Sequence, residues 1–524
     1  MRTTTMRCLV GMCLSLAALP AWANVKLPAV IGSNMVLQQG QPLRIWGWAD
    51  AGEAVTVTLG DSQVTATPGP NGRWQVELPA IAQPGGPHEM TVKGKNEIKL
   101  TNILVGEVWA GSGQSNMQWA VSQSKDAAKE IAEAKYPKIR LFLVQLLPSG
   151  TPADDVGLPP NTIYGRWVEC SPETVPGSSA VLYFFGREIH KQLDVPVGLI
   201  TTAWGGTRIQ PWIPPEGYAA IPELAEEQRQ YRAALQGYVD SMKNFGKAAE
   251  AWAAKAQEAL AAGQLPSVVP ATPAHPLNNN YQWTGLYNGM IHPIVPFSLR
   301  GFLWYQGESN NGQGMAYYQL KRGLIQGWRK VWGRTDAEMP FLFAQLAPFD
   351  YGGDPTRLPG IWEAQTATLK VPNTGMAVLT DITTLKDIHP PNKQDVGRRL
   401  ALWALAKTYG KSDLVYSGPL YKSMAADGSK IQIAFDHSAG LKSRDGKPLS
   451  WWSIAGADKK FVPAKAEIAG DNVVVSAEGV GQPVHVRFGW HQLAEPNLAN
   501  GAGLPASPFR TDEWTDAVNA EPAK

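Results

Sequence analysis

The residue types able to carry chemistry fall in four short polar segments. Gly111-Ser-Gly-Gln-Ser-Asn116 holds serines in a glycine-rich turn, and Gly205-Gly-Thr-Arg208 is a tight turn with free amides. Gln306-Gly-Glu-Ser309 adds an amide and a carboxyl, and Asp387-Ile-His389 pairs an acid with an imidazole. Each segment is weak alone; together they form a hydrolase inventory. A serine hydroxyl is a poor nucleophile until a base removes its proton, and an imidazole does this near neutral pH. The base needs an anion to hold its tautomer, and the tetrahedral oxyanion needs N–H donors fixed in advance. These needs cast Ser115 as nucleophile, His389 as base and Asp387 as the acid. The backbone N–H groups of Ser115 and Gly206 and the side-chain amide of Gln306 are the oxyanion donors. Two rivals stay open: Ser112, which shares the turn with Ser115, and Asp381, separated from His389 by seven positions. Arg208, Glu308 and Trp212 are candidate substrate contacts. Arg208 is equally readable as a structural arginine, and Glu308 as a partner of the catalytic groups or as a general acid.

These segments need elements that bring them together. Between about 101 and 415, short apolar runs alternate with helical patterns, the mark of an α/β domain with a parallel sheet covered on both faces. The pattern predicts strands at Ile103–Ala110, Ile139–Val144, Val197–Trp204, Gly301–Tyr305, Phe341–Leu346 and Met376–Asp381. It predicts helices at Ala180–Leu193, Met315–Trp332 and Asp395–Tyr409. Ligands bind at the carboxyl ends of such strands, where the four polar segments fall. A helical insertion spans about 215–285. Its apolar residues, from Leu224 through Tyr231, Tyr238 and Phe245 to Trp252, recur at spacings near three and four, and a proline-rich loop follows.

Residues 24–100 alternate apolar and polar with period two, as in Leu43–Trp48 and Val55–Leu59, and read as a β-sandwich. Gly60-Asp61 and Asn71-Gly72 are turn signals, the second a strong hairpin signal. Residues 416–524 return to β texture and end in a Gly/Pro-rich tail expected to wrap the surface.

Composition narrows the function further. The 524 residues carry 47 Lys+Arg against 45 Asp+Glu, a net charge of +2, which argues against a chain-wide nucleic-acid surface. The 20 tryptophans are partly core, and their flat faces also suit stacking on sugar rings. Residues 1–23 read as a signal peptide: Arg2 and Arg7 precede the apolar Leu9–Leu19 stretch, and Ala21-Trp-Ala23 is a cleavage site. The stretch is too short to span a membrane, so an exported, periplasmic or secreted chain is expected. Cys170 is then the one remaining cysteine, and it lacks the glycine turn that exposes a nucleophile; a small buried hydrophobe is the plainer reading. No Walker loop, dinucleotide motif or metal-ligand spacing is present, so no cofactor or metal is expected. Oligomeric state is not legible.

Gly113-Gln-Ser-Asn-Met117, Gly205-Gly-Thr-Arg-Ile-Gln-Pro-Trp212, Trp304-Tyr-Gln-Gly-Glu-Ser-Asn310 and Asp387-Ile-His-Pro390 together resemble the sialate O-acetylesterase-like family of the SGNH hydrolase superfamily. The resemblance extends from Leu27–Gln39 to Gly503–Arg510. It implies an SGNH-type three-layer α/β/α domain and metal-free removal of acetyl groups from sugar hydroxyls through an acyl-serine. Ser115 would be nucleophile, His389 base, and Gly206 the glycine of the oxyanion block. Gln306 stands where the superfamily has an asparagine. The superfamily often spaces acid and base as Asp-x-x-His, whereas residue 386 here is Lys. The implied substrates are acetylated sialic acids or acetylated plant hemicelluloses such as xylan and xyloglucan. The alternatives are a non-catalytic polysaccharide-binding protein on the same scaffold, and a general short-chain esterase.

Overall fold

The computed structural model describes residues 24–157, 164–515 and 518–519. The signal peptide expected at 1–23 lies outside them.

A mixed sheet organises the middle of the chain. Its strands run in the order Thr374–Ala377, Phe341–Ala344, Gly301–Tyr305, Glu97–Gly113, Val197–Ala203, Tyr136–Leu143, Trp167–Cys170. All neighbours are parallel except Trp167–Cys170, which runs antiparallel at the edge. Register shows why the strands read as unbroken apolar runs. Gly301 pairs with Trp109 and Leu303 with Gly111, so Phe302 and Trp304 point the opposite way. Trp109 packs edge-on against Phe185 at 5.0 Å, and a Cβ on Gly111 would touch Leu182, so that face carries the Ala180–Leu193 helix. Phe302 lies 4.7 Å from Trp328 and Trp304 donates to Tyr317, so the other face carries the Met315–Val331 helix. Both faces are dry, and neither can alternate with polar residues.

The Glu97–Gly113 strand is 17 residues long and serves two sheets. Its first half pairs antiparallel with Gly85–Lys93 in the N-terminal β region, and its second half lies at the middle of the mixed sheet. One continuous core runs from Val25 to Leu405 as a result. The Gly60-Asp61 turn joins the paired strands Val55–Leu59 and Ser62–Ala66, as read. Asn71-Gly72 closes no hairpin. The strand after it, Arg73–Leu78, pairs instead with the distant Leu43–Trp48. A turn signal reports local backbone shape, and burial of Trp46 and Trp74 selects the partner.

Within the insertion a short helix, Pro215–Ala220, precedes one long helix, Ala225–Ala261, of which only Ala256 is buried. Its apolar stripe is half-buried against the following loop. Tyr238 meets His275 edge-on at 4.6 Å, and Trp252 donates to the Ser267 carbonyl. The C-terminal β sheets have their own core, from Ile431 to Phe509. The tail is more than a surface wrap. Leu504 and Ala506 are buried, Phe509–Arg510 pairs with His485–Phe488, and Arg487 forms a buried bidentate pair with Asp512. Arg510 ties this region to the Arg357–Ala367 helix through a bidentate pair with Glu363. No helix among the described residues is long and apolar enough to cross a membrane.

Candidate active site

The Ser115 turn is shaped by the strand that precedes it. Gly113 ends that strand at φ +136°, where an L side chain is strained, and a Cβ there would sit 2.2 Å from the Tyr305 carbonyl oxygen. Only glycine lets the chain turn so close to its neighbour. Gln114 then donates its N–H to that same carbonyl, and Ser115 opens the short helix Ser115–Gln118. The first amides of a helix have no intrahelical acceptor. The Ser115 N–H accordingly has no acceptor among the described residues.

His389 arrives from the far side of the sheet, on the loop that follows Thr374–Ala377. Its Nε2 lies 2.8 Å from Ser115 Oγ. The ring stacks on Trp119, centroids 4.7 Å apart and planes within 16°. The loop is tied on both sides of the histidine. Asn116 Nδ2 donates to the Ile388 carbonyl at 2.9 Å, and the Lys125 N–H to the Pro391 carbonyl at 2.7 Å. Burial and the nearby Lys393 charge hold the imidazole below its ordinary affinity for protons, although Asp387 pulls the other way. The neutral base is the form that accepts a serine proton.

Asp387 is a looser partner than a buried triad acid. Its Oδ1 accepts the His389 backbone N–H at 2.9 Å and stands 3.5 Å from Nδ1. Its side chain is 61% exposed. Asp381, the rival acid, is committed elsewhere. The strand ends at Ala377 rather than at 381, and the Asp381 carboxylate takes two 2.6 Å hydrogen bonds from Arg399. Ser112, the rival nucleophile, is fully buried, and its hydroxyl has no partner among the described residues.

Other sequence candidates lie away from the reacting pair. Gln306 is fully buried. Its amide donates to the Thr207 carbonyl at 3.2 Å and to Asn310 Oδ1 at 2.7 Å, and its oxygen accepts from Tyr317. Both amide protons are spent, so Gln306 braces the glycine loop and is not an oxyanion donor. Trp212 is fully buried too, bonded to Thr207 Oγ1 and packed on Trp304, so it cannot meet substrate. Glu308 is 9% exposed and accepts from Asn116 at 2.6 Å; it faces inward, away from any sugar. Arg208 is exposed and has no ion-pair partner among the described residues, so it does not tie its loop to the core. Gly205 lies against Ser115, where a Cβ would come within 3.3 Å of the Ser115 Cβ. Its N–H is taken by Gln118 Oε1 at 2.8 Å. Gly206 follows at φ +74°, exposed, its N–H without an acceptor among the described residues. Burial pushes the Cys170 thiol up to about 12, the inert state.

Ser115 and His389 share a cleft of about 340 Å³ with Gln118, Trp119, Leu143 and Tyr164. Leu143 and Ala203, which also lines it, close two neighbouring strands, so the cleft opens at carboxyl ends of the sheet. Trp119, Asn116 and Lys393 escaped the sequence reading. The first two lie within four residues of Ser115, and Lys393 four after His389. That proximity was the only signal. Among the described residues no group of three or more His, Cys, Asp or Glu side chains is placed to hold a metal ion.

No family model matches the chain. It is 30% identical to the sialate O-acetylesterase of Rattus norvegicus over 517 residues, 90% of each chain. To that of Homo sapiens it is 27% identical over 534 residues, 93% of each. Among solved structures it is similar to a carbohydrate acetylesterase from Xanthomonas citri. The TM-score is 0.78 at 35% identity, covering 94% of this chain and 100% of that one. At 30% identity over nine-tenths of both chains, the chain belongs to the sialate O-acetylesterase family.

Proposed function

We propose that the chain is a serine esterase that removes O-acetyl groups from carbohydrates. The observation that carries this reading is the 2.8 Å contact between Ser115 Oγ and His389 Nε2 at the wall of an open cleft. Ser115 Oγ attacks the acetyl carbonyl carbon while its proton passes to Nε2. The Ser115 and Gly206 N–H groups receive the oxyanion. Collapse expels the sugar oxygen, which takes the proton from Nε2 and leaves an acetyl-serine. His389 then deprotonates a water, which attacks the acetyl carbon and releases acetate. Asp387 steadies the imidazolium in both halves. The sheet and its two helical faces are read as an SGNH-type arrangement, with β-rich regions at 24–100 and 416–524. Residues 1–23 are read as a signal peptide directing export.

Acetylated sialic acid is the favoured substrate. Arg208, exposed two residues after Gly206 and without an ion-pair partner among the described residues, offers a carboxylate anchor that a neutral xylan would leave empty. The test is acetate release from an acetylated sialoglycan, acetylated xylan and xyloglucan oligosaccharides, and p-nitrophenyl acetate. Ser115→Ala should cut kcat by several orders of magnitude with the fold intact. No acetate release from any substrate, or a fully active Ser115→Ala, would leave the binding-protein reading in its place.

A further inference from the structure

Behind Ser115 and His389 lies a buried set of groups that the acyl-transfer steps do not use. Lys393 is fully buried, Asn116 is 1% exposed and Glu308 is 9% exposed. Lys393 Nζ donates to Asn116 Oδ1, while Asn116 Nδ2 donates to Glu308 Oε1 at 2.6 Å and to the Ile388 carbonyl at 2.9 Å. One amide thus joins a cation, a carboxyl and the peptide next to the catalytic histidine. Lys393 also lies 5.8 Å from the Trp119 ring, the ring on which His389 stacks, and 5.3 Å from that of Tyr305. Burying an ammonium and a carboxyl is costly unless each is bonded, so a core of this kind is not the cheapest way to fill space.

We propose that Lys393, Asn116 and Glu308 form a buried strut that positions the His389 imidazole against Ser115. This rests on the Ser115–His389 reading above. The strut has a short reach. Asn116 immediately follows the nucleophile and grips the residue before the base, so it sets the Oγ–Nε2 separation from both ends. Lys393 opens the Lys393–Trp403 helix, and its position is fixed by the helix cap at Asn392. The charged or titratable groups around the imidazole are Asp387, which favours its protonated form, and Lys393, which opposes it; burial pushes Lys393 down to about 7 while Glu308 and Asp387 favour its charge, so it is charged across the acid limb. Lys393, Asn116 and Glu308 are positioning residues: none of them touches the reacting atoms.

The test compares purified Lys393→Met and Asn116→Ala with wild type and Ser115→Ala on one acetyl ester across pH. Methionine fills the lysine's space without its charge. The acid limb of kcat/KM should move to higher pH by about half a unit to one unit, because a positive charge no longer opposes protonation of His389. Asn116→Ala should lower kcat about 10- to 100-fold at unchanged KM, the cost of a misplaced base. A merely structural role would lower Tm in both variants and leave the limb and the kcat-to-KM split untouched, and that result overturns the strut. If Lys393→Met does not fold, the Asn116→Ala split decides, and a loss confined to KM overturns it. An active Ser115→Ala refutes the underlying reading, whereas an inactive Ser115→Ala beside unaffected strut variants refutes the strut alone.

Discussion

Asp387→Asn is the substitution whose effect the geometry sizes most directly. A buried triad acid can be worth about 10,000-fold in kcat. Asp387 is not buried: its side chain is 61% exposed and its oxygen lies 3.5 Å from Nδ1. Coulomb attraction between unit charges at that separation is about 1.2 kcal/mol at the dielectric of water and about 2.4 kcal/mol at half that value. That range converts to a rate loss of about 8- to 60-fold, since the imidazolium forms only in the transition state. Asparagine keeps an oxygen for the His389 backbone N–H, so the loop turn survives and the charge alone is removed. Steady-state kcat on p-nitrophenyl acetate, beside circular dichroism to verify folding, measures the effect. A loss beyond about 1,000-fold would mean that the acid acts as a buried partner after loop closure, and would refute the exposure argument. A loss below about twofold would refute any role for Asp387 and leave a Ser–His dyad.

Asp381→Ala should act on stability instead. It strands the Arg399 guanidinium, 6% exposed, at a cost of about 3–5 kcal/mol, read as a fall in the urea midpoint with kcat of the folded enzyme kept. The pH profile of kcat/KM should fall toward acid with a midpoint below 6.5, because protonating His389 abolishes the base and its surroundings oppose that proton; a midpoint above 7 would contradict the site. Gly113→Ala should lose soluble folded enzyme, since its Cβ would lie 2.2 Å from the Tyr305 carbonyl; an unchanged Tm would show that the turn tolerates a side chain.

Short-range pattern was enough to read several elements, though not the Trp167–Cys170 edge strand or the Arg357–Ala367 helix. Gly301–Tyr305 and Ala180–Leu193 lie where periodicity put them, because a strand buried on both faces must be apolar throughout and a helix on that sheet must carry a stripe. Types at strand ends were enough to bring Ser115 and His389 forward as candidates, since few side chains can be nucleophile or base. Partner choice was not legible. Ser115 and His389 are 274 positions apart, and no local signal measures that distance. Gln306 and Glu308 have the chemistry for an active site, yet they lie on the inward side of their turn, and only the packing of Tyr317, Asn310 and Asn116 around them reveals it. Asp381 carries the same carboxylate as Asp387, but Arg399, on the helix packed beside it, claims the first and leaves the second to the histidine. Residue type and local period are properties of the chain; which polar group meets which is decided by topology, because a buried charge takes whatever partner the fold brings within hydrogen-bonding reach.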